Sequence, residues 1–290
     1  MRYVGTIYRP PSEAHSLIVQ VSVGCSHNKC TFCGSYRDKT FKIKDIEEIR
    51  EDLREARHLG DIDKVFLADG DALAIPQKHL VEIIDSVNEY IPSVERIGIY
   101  ANARNILHKS LEELRILQSM KLGIIYLGVE TGDEQLLGKI CKGATYEQLV
   151  KAARRVKESG IELSVTVLLG IGGIEGSESH ARGTARILTD MDPDYVGALS
   201  LILVPGTPMH DDYLQGKLQI PDPFGLINEL RIMIAESNFT HCMFRSNHAS
   251  NYLPVKATLP EDKEEIVRAI DGVLRSRDAH RLRPEFLRAL

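Results

Sequence analysis

The stretch "SLIVQVSVGCSHNKCTFC", residues 16–33, decides how the rest of the chain is read. Its first nine residues are mostly apolar or β-branched and end on Gly24, the composition of a buried strand closed by a turn. Directly after that strand come Cys25, Cys30 and Cys33, three of the five cysteines in the chain. Three thiols are too many for one disulfide and one short of a closed four-thiolate site. Two metal readings stand open at this point. With His27 the loop could complete a four-ligand zinc site; without it, three thiolates would hold a metal centre that keeps one position for a ligand.

Working outward, strand-like and helix-like stretches alternate. Helical spacing over Ile46, Ile49, Leu53 and Ala56 precedes a strand at 64–70. Then follow a helix over 77–90, a strand at 96–102, a helix over 110–120 and a strand at 123–130. A helix over 146–158, a strand at 162–170, a helix over 179–191 and a strand at 195–204 complete the series. The strands read as apolar runs, as in a parallel sheet covered by helices. Six strand–helix units predict an α/β fold, a partial (β/α)6 TIM-type barrel over residues 1–210. Residues 211–290 are expected to form a helical C-terminal extension packed on the barrel as a substrate cap.

Composition narrows the class. The chain has 290 residues, 43% of them hydrophobic and 27% charged, with a formal net charge of -5 and no tryptophan. No broad basic field is present, so nucleic acid is not an expected partner. The N-terminus lacks the apolar core of a signal peptide, and the longest apolar runs are too short to span a membrane. The chain is therefore expected to be cytoplasmic, where clustered cysteines serve metals or catalysis more often than disulfides.

In such a sheet the chemistry gathers at the C-terminal ends of the strands. Asp69-Gly70-Asp71 follows the second strand, Asn102 and Arg104 the third, Glu130-Thr131-Gly132 the fourth, and Gly170-Ile171-Gly172-Gly173 the fifth. The last is not a dinucleotide fingerprint, because Glu175 stands where the third glycine belongs.

The loop "CSHNKCTFC", with Phe32 just before its last cysteine, resembles that of the radical S-adenosylmethionine (radical SAM) superfamily. The spacing is C-x4-C-x2-C where C-x3-C-x2-C is usual. The longer gap occurs in the branch that looks like the Elongator catalytic subunit and oxygen-independent coproporphyrinogen oxidase. The resemblance implies that Cys25, Cys30 and Cys33 hold a 4Fe–4S cluster whose fourth iron binds S-adenosyl-L-methionine. One electron then cleaves the sulfonium, and the resulting 5′-deoxyadenosyl radical takes hydrogen from a substrate. Phe32 would lie against the adenine, Asp69 and Asp71 near the methionine amino group, Glu130 at the ribose, and Gly172 in a turn approaching the adenine. Asn102 and Arg104 complete the expected cofactor set; Arg104 serves equally well as a surface arginine, and Asp69-Gly70 as a plain turn.

The segment "FRSNHASNYLPVK" (244–256) is dense in side-chain hydrogen-bonding groups. Arg245, His248 and Tyr252 are the expected substrate residues, with Tyr252 returning a hydrogen atom or only packing. Cys141 and Cys242 read as small core residues. The C-terminal run from Leu274 to Leu290 reads as an amphipathic surface helix with five arginines. The expected partners are an electron donor such as flavodoxin or ferredoxin and a small-molecule or peptide substrate, in an anaerobic setting. Modification of tRNA is the second enzymatic reading, and a zinc-stabilised scaffold the non-enzymatic one.

Overall fold

The computed structural model describes residues 1–289. They fall into two compact units: Met1–Asn28, Ser35–Leu127 and Lys151–Leu163 in the first, and Lys29–Gly34, Gly128–Val150 and the chain from Ser164 onward in the second.

In chain order the elements run β1 (Leu17–Gln20), β2 (Ser22–Val23), β3 (Lys42–Ile43), α1 (Ile46–Ala56), β4 (Lys64–Ala68), α2 (Gln77–Tyr90), β5 (Arg96–Ala101), α3 (Ala103–His108), α4 (Leu111–Ser119) and β6 (Leu122–Glu130). They continue α5 (Glu134–Lys139), α6 (Tyr146–Glu158), β7 (Glu162–Leu169), α7 (Gly173–Met191), β8 (Tyr195–Ser200), α8 (Pro208–Leu214), α9 (Pro223–Glu236), β9 (Cys242–Arg245), β10 (Lys256–Leu259) and α10 (Lys263–Ser276). The sheet is eight-stranded, in the order β1-β4-β5-β6-β7-β8-β9-β10, with β2 and β3 forming a separate ribbon.

In the first unit β1, β4 and β5 pair in parallel, with Leu17 opposite Val65 and Lys64 opposite Arg96. Val19, Phe66, Leu67, Ile97 and Ile99 are wholly buried there, the continuous apolar burial that a parallel sheet requires. Helix starts follow local capping chemistry. Asp45 accepts the amide of Glu47 at α1, and Ser110 and Glu113 form a reciprocal capping box at α4.

In the second unit β7, β8 and β9 are parallel and β10 runs antiparallel to β9. Burial alternates along β7, β8 and β9, so one face of this half of the sheet is fully buried and the other only half-buried. Two strands were not expected from the sequence: β9 and β10, each four residues long, lengthen the sheet from within the 211–290 segment. Helix α7 starts at Gly173, six residues before the expected start, because Gly170 and Gly173 both take positive φ and turn the chain straight into it. The strand expected to reach residue 204 ends at Ser200.

The C-terminal run is not one helix. Helix α10 stops at Ser276, where Arg277 adopts a left-handed conformation, and the rest is two 3-10 turns around Pro284; Leu290 lies outside the described residues. Cys242 is a core residue as expected, whereas Cys141 is exposed. No helix among the described residues is long and apolar enough to cross a membrane.

Candidate functional site

In the first unit the loop after β1 is anchored to the loop after β4. Gly24, at φ 78°, donates its amide to Asp69 Oδ2 over 3.0 Å. That same oxygen accepts from Gln20 at 2.9 Å and pairs with Lys39 Nζ at 3.2 Å. The other carboxylate oxygen, Asp69 Oδ1, is buried with no hydrogen-bond partner, an unsatisfied acceptor of the kind that costs free energy until something meets it.

Asp71 is wholly buried, and its neighbours engage both of its oxygens. It accepts from the Ser26 hydroxyl, from Asn102 Nδ2 at 2.5 Å, from Asn105 Nδ2 at 2.6 Å and from the Asn102 amide at 3.1 Å. Asn102 in turn caps α3 through the amide of Asn105. Asp71 and Asn102 therefore act on each other, and with Ser26 they fix the residue next to Cys25. Gly70 has no room for a side chain, since a Cβ there would stand 2.4 Å from the Tyr36 ring. Arg104 is exposed and has no carboxylate partner among the described residues.

In the second unit the rest of the cysteine loop is stitched in by its backbone. Thr31 donates its amide to the carbonyl of Ile140, just past α5, and its own carbonyl accepts from Met209 in α8. Phe32 packs on a buried cluster of Ile140, Ile171, Leu201 and Met209. Beside that cluster opens a cavity of about 790 Å³, within the size range of small-molecule and cofactor pockets. Apolar Leu136, Ile140, Ile171 and Met209 and the turn at Gly172 line it, with Asp133 and Ser179 supplying polar groups. A Cβ on Gly172 would stand 3.0 Å from the Gly176 carbonyl, so any larger residue in the turn needs that backbone to give by a few tenths of an ångström.

Glu130 ends β6 at φ 67°, a left-handed conformation strained for a residue with a side chain. Its carboxylate folds back over Gly128, where a Cβ would meet it at 2.3 Å, and pairs with Lys142 at 2.8 Å.

A buried polar network, not anticipated from the sequence, supports both strand ends. Glu229 of α9 accepts the Gly170 amide and the Ser177 hydroxyl, each at 2.6 Å. His180 of α7 meets the Thr131 hydroxyl at 2.8 Å through Nδ1, and its Nε2 stands 3.7 Å from Glu229. Thr184 accepts the amide of Gly132. Burial pushes the Glu229 carboxyl up to about 7 and the His180 imidazole down to about 4, each toward its neutral form.

The expected substrate residues have distinct surroundings. Tyr252 donates to Glu285 and accepts from Arg288 Nη1 at 2.7 Å, with the guanidinium stacked on its ring. Burial and then Glu285 raise its phenol to about 12. His248 accepts the Ser250 amide through Nδ1, and burial followed by the Arg283 charge lowers its pKa. Arg245 directs its guanidinium hydrogen bonds, among the described residues, to the thioether of Met243. Among the described residues, no group of three or more His, Cys, Asp or Glu side chains is gathered as a metal ion would require.

Comparison with known proteins addresses the family directly. The Radical SAM superfamily model matches residues 19–181. The heme chaperone HemW of Bacillus subtilis (strain 168) is 23% identical over 162 residues, 56% of this chain and 42% of HemW. The solved structure of coproporphyrinogen III oxidase (HemN) from Escherichia coli, a radical SAM enzyme, aligns with a TM-score of 0.57 at 16% identity. The alignment covers 76% of this chain and 51% of that one. Methylornithine synthase (PylB) aligns with a TM-score of 0.54 at 22% identity, over 77% of this chain and 63% of that one. The chain thus spans less than two thirds of each of these proteins, and the two structures share its fold, the partial barrel of six strand–helix units. With more than half of its length matched by the family model, the chain belongs to the radical SAM superfamily of enzymes.

Proposed function

We propose that this enzyme binds a 4Fe–4S cluster through Cys25, Cys30 and Cys33 and reductively cleaves S-adenosyl-L-methionine to draw hydrogen from a small-molecule or peptide substrate. The observation that carries this reading is the cavity beside Phe32, large enough to take a nucleoside, whose wall combines Ile140, Ile171, Met209 and a glycine turn with polar side chains such as Asp133, Gln135 and Ser179. The donor chemistry fits the group, although the side chains are not gathered as around a single metal ion: three half-buried thiols in one loop, thiolate being the usual ligand of iron–sulfur clusters. When bound, the cluster supplies one electron at low potential and an iron position open to the sulfonium compound.

The chain's own residues bind and orient. Phe32, Ile140, Ile171 and Met209 exclude water from an adenine ring, and the bare backbone at Gly172 lets it approach. Asp69 Oδ1 offers an acceptor to the methionine ammonium, which its partners Gln20, Gly24 and Lys39 leave unused. Asp71 and Asn102 hold the cysteine loop through Ser26. Glu130 serves the ribose hydroxyls, its oxygens steadied by Lys142. Arg104, exposed at the start of α3, is left for a carboxylate.

Residues from 211 onward form the substrate side. Tyr252 and His248, held by Arg288, Glu285 and Ser250, fix the loop that follows Arg245. A phenol raised to about 12 stays protonated and keeps its hydrogen available. A flavodoxin or ferredoxin is the class of electron donor such chemistry needs. The test is anaerobic: the reconstituted protein, given dithionite and S-adenosyl-L-methionine, should release 5′-deoxyadenosine. A protein with a full cluster that neither binds nor cleaves the compound would refute the reading.

A further inference from the structure

We infer that the half-buried face of β7–β10 binds an acidic group of the substrate, held by Arg245 and Lys256. This rests on the reading above and adds a substrate class to it.

The strand registers place four residues in one row. Thr166 of β7 lies opposite Gly197 of β8, Gly197 opposite Arg245 of β9, and Arg245 opposite Lys256 of β10. Directly paired residues share a face of the sheet. The other face holds Cys242, Phe244, Ala257 and Leu259, all buried. The row therefore presents a hydroxyl, a gap, a guanidinium and an ammonium side by side on the face that remains half-open. Its neighbouring rows carry no carboxylate: Leu168 and Leu199 on one side, Ser164, Tyr195, Met243 and Thr258 on the other.

Two like charges directly opposite one another weaken a sheet. Among the described residues neither cation has an ion-pair partner to offset that cost, and the guanidinium's hydrogen bonds there go to the Met243 sulfur, at 3.2 and 2.9 Å, a weak acceptor. A lysine on an edge strand guards against strand addition, which accounts for Lys256 alone. Arg245 lies on an inner strand, where that role does not exist. Beside it, Gly197 carries no side chain, and a Cβ there would make only ordinary contact, at 3.7 Å with Leu199, so the residue paired with Arg245 on β8 leaves the guanidinium uncrowded from that side. A planar fork with an ammonium and a hydroxyl at its sides suits a carboxylate or a phosphate.

Isothermal titration of the anaerobically reconstituted protein at low salt tests this without turnover. Tricarballylate probes for a carboxylate site and inorganic pyrophosphate for a phosphate site. One of the two should bind with a stoichiometry of one, about tenfold or more weaker in the double variant R245M/K256M, with R245K intermediate. The double variant should melt no lower than wild type, since removing opposed like charges relieves the sheet. Failure of both anions to bind wild type would overturn the inference. So would equal binding by the double variant, which would mean adventitious anion association only. Loss of 5′-deoxyadenosine formation with the anion site intact would instead count against the enzymatic reading while supporting the site.

Discussion

Glu229 gives the sharpest quantitative expectation. It reaches from α9, beyond the family-matched residues 19–181, to hold the Gly170 amide and Ser177, and so sets the glycine turn that lines the cavity. Burial raises its carboxyl from an ordinary 4.5 to about 7. A group whose pKa rises on folding contributes stability that is complete below the unfolded value and lost as pH climbs through the folded one. Each tenfold in a proton equilibrium is worth about 1.4 kcal/mol, so the loss from pH 4.5 to above 7 is about 3 kcal/mol. Glutamine keeps both contacts, accepting from Gly170 and donating to Ser177, but does not titrate. Melting temperatures of wild type and E229Q, followed from pH 5 to pH 8.5, should therefore diverge in favour of the variant as pH rises. At roughly 2 °C per kcal/mol for a chain of this size the divergence is about 6 °C. Parallel curves would refute a neutral, desolvated Glu229.

Four further expectations follow from the same contacts. His180, held down to about 4 by burial, contributes stability that is present above pH 6.5 and lost as pH falls through 4; H180Q should flatten that acid limb by about 3 kcal/mol in a pH series of unfolding. G132A places a Cβ 2.1 Å from the Gly183 carbonyl in α7 and should cost about 1–3 kcal/mol in denaturant unfolding, with an unchanged melting curve counting against this packing. E130Q and K142M should show a coupling of about 1–3 kcal/mol in a double-mutant cycle, while E130Q alone weakens S-adenosyl-L-methionine binding about tenfold by equilibrium dialysis. R288A removes donors to the Ser250 and Leu201 carbonyls and to Tyr252, so the 3-10 turns should lose hydrogen-exchange protection and stability should fall by about 2 kcal/mol.

The alternation of strands and helices was readable because each unit carries its own local signals: apolar runs for β4 to β8, and helical spacing such as that of Ile46, Ile49, Leu53 and Ala56 in α1. Helices α3 and α5 were not, being six residues each, too short to establish a period. Strands β9 and β10 escaped for the same reason, with Arg245, Lys256 and Thr258 diluting their apolar content. The cysteine loop stood out because spacing along the chain is what marks it. The partners that hold it did not, since Asp69 with Lys39, and Asp71 with Ser26, Asn102 and Asn105, meet only through the fold. Glu229 sat in a helical stretch with nothing to mark it from a solvated polar position. His180 carried a weak signal, falling on the buried side of α7 with Ala181, Thr184 and Leu188.

The most direct measurement is 5′-deoxyadenosine production by anaerobically reconstituted protein with dithionite and S-adenosyl-L-methionine, beside C33A carried through the same steps. The reading requires the nucleoside from wild type and none from C33A, whose loop is left with two thiolates for the cluster. A wild type that assembles no iron–sulfur cluster and retains zinc, or a C33A variant that yields as much nucleoside as wild type, would contradict it.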